Sequence, residues 1–100
     1  MNIEHHPEQH RFQTMVDGVT AYVSYEENTD NLNIRHTIVP TEIEGRGIAS
    51  SLVRTAYDYA RSRGLKPVAT CSYAAIWLKR HPEYQGTTSA DYRNEDSCAL

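Results

Sequence analysis

The sequence predicts a mixed α/β domain: an N-terminal antiparallel β-meander, then a β-α-β unit, then a closing helix. Three features carry this reading. Alternation with period two dominates residues 11 to 39, a period of 3.6 takes over at Ile48, and between them lies a glycine-flanked turn, Gly45-Arg46-Gly47. One hundred residues is the size of one compact domain. The expected organisation is therefore a single domain over residues 1–100, with a core at about 11–84 and a polar tail over 85–100.

Each element follows from its pattern. Arg11 to Val16 puts Phe12, Thr14 and Val16 on one side, as a strand with one apolar face. Asp17-Gly18 is a two-residue hairpin signal, because a type I′ turn needs positive φ at both central positions. Val19 to Glu26 alternates again, with Val19, Ala21, Val23 and Tyr25 together. After the polar turn Asn28-Thr29-Asp30-Asn31, the run Leu32 to Val39 places Leu32, Ile34, His36 and Ile38 on one face. That face favours a hydrogen-bonded core role for His36 over a catalytic one. Pro40 cannot donate to a ladder and ends the pairing.

From Ile48 the residues Ile48, Ala49, Leu52, Val53, Ala56, Tyr59 and Ala60 form one stripe of a helix that packs on the sheet. Gly64 stops it, and Arg61 and Arg63 complement the negative end of its dipole. Lys66 to Cys71 returns as a strand. Ser72 is placed to cap a second helix from Tyr73 to about Arg80, which His81-Pro82 ends, with the His81 imidazole as a cap. Trp77 and Tyr84 are expected to pack this helix on the sheet. The tail from Gln85 is polar, has little to bury, and reads as partly disordered.

Composition narrows the function. Hydrophobic residues make up 39% and charged residues 23%, ordinary for a soluble globular chain. No apolar run approaches the roughly 18 residues of a membrane span, and the N-terminus lacks the pattern of a secretory signal, so a cytoplasmic protein is expected. A net charge of -3 gives no electrostatic reason to expect nucleic acid. The five histidines show no metal-ligand spacing, and no metal is expected. Cys71 and Cys98 form no CxxC pair and read as free thiols rather than a bridge. A monomer or weak dimer is the expected assembly.

The glycine turn is the strongest chemical signal. In a β-α-β unit the strand-to-helix turn lies at the carboxyl edge of the sheet, where ligands bind. A loop stripped of side chains there lets backbone N–H groups from Gly45 to Ala49 face a phosphate at the positive end of the helix dipole. Two familiar nucleotide loops fail. The Gly-Lys-Ser/Thr of a Walker A loop is missing, and Ser50 stands where a dinucleotide fingerprint needs its third glycine.

The stretch Glu44-Gly45-Arg46-Gly47-Ile48-Ala49 resembles the pyrophosphate loop of the GNAT N-acetyltransferases. His36-Thr37-Ile38-Val39-Pro40 before it, Cys71-Ser72-Tyr73 after it and His81-Pro82-Glu83-Tyr84 at the end of the second helix are similar to the small single-domain branch of that superfamily. The resemblance spans about Arg11 to Tyr84 and implies a compact GNAT-like fold. It also implies acetyl-CoA as cosubstrate, with pyrophosphate on the Gly45, Arg46, Gly47, Ile48, Ala49 and Ser50 loop. Pantetheine would lie beside the backbone of Ile38 and Val39, and the acetyl group would pass directly to an amine of unspecified identity. Glu44 departs from the Gln or Arg that the superfamily prefers at that position.

Cys71 stands between strand and helix, where a dipole favours thiolate. The resemblance makes it a candidate catalytic residue, as acetyl acceptor or near the thioester; a small buried residue between splayed strands is the equal alternative. Tyr73 is a candidate donor to the departing thiolate, with packing as its alternative. His36 or Glu42 could take the amine proton, directly or through water. Arg46, Lys79 and Arg80 are candidates for phosphate contact or plain surface charge. Two competing readings stand beside the acetyltransferase: a CoA- or acyl-CoA-binding module with little turnover, and a structural domain in which the glycines only turn the chain.

Overall fold

The computed structural model describes residues 1–90. Its elements are strands β1 (Glu4–His6), β2 (Arg11–Val16), β3 (Val19–Glu27) and β4 (Asn31–Ile38), helix α1 (Ile48–Ser62), β5 (Lys66–Ala69), helix α2 (Ser72–Arg80) and β6 (Thr87–Thr88). The strands form one six-stranded sheet in the order β1-β2-β3-β4-β5-β6. Pairing is antiparallel from β1 to β4 and parallel for β4–β5 and β5–β6. The expected meander and β-α-β unit are both present. Among the described residues no helix is long and apolar enough to cross a membrane.

The hairpin between β2 and β3 forms as its turn residues dictate. Val16 pairs with Val19, while Asp17 and Gly18 take φ values of 52° and 78°. Phe12 and Thr14 on β2 and Ala21, Val23 and Tyr25 on β3 are buried on the shared face. Onto this surface α1 lays Ile48, Leu52, Val53, Ala56, Tyr57 and Ala60. Each large aliphatic residue buried this way contributes about 1.5–3 kcal/mol. Tyr57 was not in the expected stripe, yet it is fully buried because its hydroxyl donates to the Val68 carbonyl at 2.6 Å. That bond ties α1 to β5 and removes the cost of burying a phenol.

Outside the expected core, β1 adds an edge strand, with Glu4 opposite Gln13 and His6 opposite Arg11. At the other end, the polar tail begins with a parallel strand, β6, beside β5, where backbone pairing does not need apolar side chains. The rest of that tail, residues 91–100, lies outside the described residues. Ser72 is not the N-cap of α2; Cys71 holds that position, with an extended backbone and no side-chain cap.

The most consequential correction is in β4. Tyr25 pairs with Ile34, but Ser24 pairs with His36, so Arg35 is an extra residue in the ladder. A bulge reverses the facing of every later side chain. Leu32 and Ile34 are buried as expected, but beyond the bulge Thr37 and Val39 turn inward and His36 is exposed. The core role expected for His36 is therefore overturned.

Candidate functional site

Parallel pairing of β4 with β5 ends at Ile34 opposite Ala69, while β4 runs on to Ile38. The two strands splay, and the edge of β4 around Ile38 and Val39 faces the opening. Cys71 occupies the narrow end of the splay, with no exposure, and its Sγ lies 3.3 Å from Thr37 Oγ1. Its placement is that of a small residue filling the gap between the strands. Cys71 is disulfide-bonded, which corrects the expected free thiol. Bridging depends on cysteine Cα atoms lying roughly 4.4–6.8 Å apart, and spacing along the chain does not encode that. Cys98 lies outside the described residues.

The chain leaves β4 through Pro40 and a short 3-10 turn, Thr41–Ile43, which anchors the loop by burying Ile43. Gly45 and Gly47 then take φ values of 77° and 73°, the left-handed region where a side chain is disfavoured. No atom lies within 4 Å of where a Cβ would stand on either glycine, so the loop is open above its backbone. Gly47 is the N-cap of α1 and supplies no side-chain cap, and no acidic residue stands in the first turn. No side chain caps the first-turn N–H groups at the positive end of this 15-residue helix.

A cleft of about 190 Å³ joins these parts. Glu44, Gly45, Gly47, Ile48, Ala49 and Ser50 form its loop side, Val39 lines it just past the end of β4, and Tyr73 lines it from α2. Seven of the expected site residues therefore meet. Ile38 adjoins the cleft through Val39 without lining it. Arg46 points away from it, with Nη1 donating to Asp17 Oδ2 at 2.8 Å. His36 is turned to the exposed face, and Cys71 is enclosed beneath the strands. Lys79, Arg80 and Glu42 are exposed.

Tyr73 is half-buried, and burial raises its phenol above the usual value of 10.0; the Ser50 hydroxyl and the Arg80 charge act in the opposite direction. The phenol thus stays protonated through the neutral range and can donate. Ser50 also accepts from Trp77 Nε1 at 3.0 Å, which locks the first turn of α1 to α2. His81 caps α2 as expected, donating from Nδ1 to the Trp77 carbonyl at 2.7 Å while its ring stacks on Trp77 at 3.9 Å. Sequence reasoning missed three participants: Asp17, Thr37 and the Ser50–Trp77 bond. Asp17 carried only a turn signal, Thr37 was hidden by the bulge, and nothing in the spacing of Ser50 and Trp77 marks a contact.

Six strands in one mixed sheet, two helices, and a cleft between the end of β4 and the N-terminus of α1 define the class as a mixed α/β protein. A family model of GCN5-related N-acetyltransferases matches residues 11–87. Protein NATD1 of Xenopus tropicalis is 31% identical over 85 residues, covering 82% of this chain and 78% of the relative. Protein NATD1 of Homo sapiens is equally identical over the same length, with 75% of the relative covered. The NMR solution structure of a GCN5-like protein from Staphylococcus aureus superposes with a TM-score of 0.67 at 28% identity, covering 88% of this chain and 87% of that one. The chain belongs to the GCN5-related N-acetyltransferase family.

Proposed function

We propose that the protein binds acetyl-CoA and transfers its acetyl group directly to an amine. The observation that carries this reading is that one cleft is lined by Gly45, Gly47 and the first turn of α1, by Val39 just past β4 and by Tyr73. In this reading the N–H groups from Gly45 to Ser50 hold the pyrophosphate, and the backbone of Ile38 and Val39 hydrogen-bonds the pantetheine as a neighbouring strand would. Acetyl-CoA supplies an activated thioester. Tyr73, protonated at neutral pH, donates its proton to the sulfur as the C–S bond breaks. His36 and Glu42 are both exposed, so either would receive the amine proton through water. A nucleophilic role for Cys71 needs a thiolate and applies only to the reduced protein.

Calorimetric titration with acetyl-CoA and CoA tests the binding, with Gly47→Glu as the comparison. Micromolar affinity that disappears in the variant is the expected result, with the variant's fold checked by thermal melting. No heat of binding in the unmodified protein sinks the proposal. The exposure of both proton acceptors, outside the cleft, favours a second reading: a CoA-binding module with little turnover. Acetyl transfer to a panel of amines, followed by release of CoA thiol, separates the two.

A further inference from the structure

A larger cleft, of about 660 Å³, lies at the opposite end of α1. Tyr25, Glu27, Tyr59, Arg63 and His10 line it, from the end of β3, the last turns of α1 and the turn after β1. At about 1.5 Å per residue, the length of α1 puts it roughly 20 Å from the glycine loop. It is too remote to hold an amine for the reaction proposed above.

Its floor is aromatic. The Tyr25 hydroxyl is 2.5 Å from His5 Nε2. Burial pushes the Tyr25 phenol up to about 12 and holds the His5 imidazole below its usual value, so both are uncharged at neutral pH. His10 stacks beside Tyr25, with ring centroids 5.8 Å apart. The walls, in contrast, carry opposite charges. The Tyr59 hydroxyl donates to Glu27 Oε1 at 3.1 Å, and the Arg63 guanidinium lies over the Tyr59 ring at 5.4 Å. Tyr59 thus stands between a carboxylate and a guanidinium that do not pair with each other. Among the described residues neither forms any ion pair. Glu8, the other carboxylate whose charge reaches this floor, is held by His6 at 3.5 Å.

The edges of the cleft are preorganised. Asn28 Oδ1 accepts from the N–H groups of Asp30 and Asn31, both at 2.8 Å, which fixes the hairpin turn beside Glu27. The Tyr25 N–H donates to the His10 carbonyl at 3.0 Å, which fixes the opposite edge. A ligand with one net charge would meet a like charge on one wall. A ligand carrying both charges meets a partner on each, and an aromatic body finds the Tyr25 and His10 rings.

We infer that this cleft is a second binding site, for a free aromatic α-amino acid, with the ammonium on Glu27, the carboxylate on Arg63 and the ring against Tyr25 and His10. L-Tryptophan is the probe, titrated into the full chain labelled with nitrogen-15 and followed by amide NMR. Saturable shifts are expected at Glu27, Asn28, Thr29 and Arg63, with Gly45 and Gly47 unmoved. Tryptamine lacks the carboxylate and indole-3-propionate lacks the ammonium, and each is expected to bind about tenfold more weakly or worse. Glu27→Gln and Arg63→Gln change exposed side chains and are expected to weaken tryptophan by a similar factor while leaving the melting curve intact. Absence of saturable shifts up to about 10 mM overturns the inference, since that lies beyond the millimolar range of a weak specific site. Equal affinity for tryptophan and either truncated analogue overturns it as well.

Discussion

Asp17→Asn is a sharp test of the proposed contact between the glycine loop and a phosphate. Arg46, the one cation inside the loop, is held by Asp17 across the β2–β3 turn at 2.8 Å, and its guanidinium must leave that carboxylate to reach a phosphate. The two side chains are 48% and 68% exposed, so solvent screens the pair and its worth is about 0.2–1 kcal/mol. Removing the carboxylate therefore raises affinity for CoA by about 1.4- to 5-fold. Asparagine suits the test because it tolerates the φ of 52° at this position, so the hairpin is retained. Calorimetry with CoA reads the effect at about 20 mM and again at about 300 mM salt, where screening shortens the reach of exposed charges. The gain is expected at low salt and should shrink at high salt. An affinity that falls in the variant, or a gain indifferent to salt, refutes the idea that Asp17 competes with the ligand for Arg46.

Three further outcomes follow from the same geometry. Tyr57→Phe leaves the buried Val68 carbonyl without its 2.6 Å donor and is expected to cost about 1–3 kcal/mol, seen as a lower midpoint in urea with an unchanged slope. The His5 pKa is lowered in the fold, first by burial, so below its usual value of 6.5 the unfolded chain binds more protons than the folded one. Stability should accordingly be full above that value and fall as pH drops through the window beneath it. His5→Gln should flatten that fall in melts compared at pH values on either side of it, and an unaltered slope would remove His5 as the cause. Tyr73→Phe should lower kcat on the order of a hundredfold or more while leaving the calorimetric affinity for CoA near that of the unmodified protein. Loss of binding with no further effect on kcat would make Tyr73 a packing residue.

Much of the architecture was legible because one local rule decided each part. The Asp17-Gly18 turn, the alternation of Phe12, Thr14, Ala21, Val23 and Tyr25, and the stripe from Ile48 to Ala60 each follow from a backbone period or a φ requirement. Gly45 and Gly47 were readable for the same reason, since both take the left-handed conformation that glycine adopts at no steric cost. The edge strands were not legible. Glu4–His6 and Thr87–Thr88 are short and lack alternation, and they exist because neighbouring strands offer unpaired backbone groups.

What the sequence determined by itself is the order of elements, the hairpin, the amphipathic face of α1 and an open glycine loop at its N-terminus. These depend on interactions between residues within a few positions of one another. Tertiary structure decided which side chains reach the cleft. One extra residue at Arg35 in the β3–β4 ladder turned His36 out and Thr37 in, because a period of two carries no memory across a bulge. The Asp17 hold on Arg46, the Trp77 bond to Ser50 and the burial of Cys71 between splayed strands join residues from different elements. Such contacts are set by the packing of the sheet against its helices, and no local pattern in the chain encodes them.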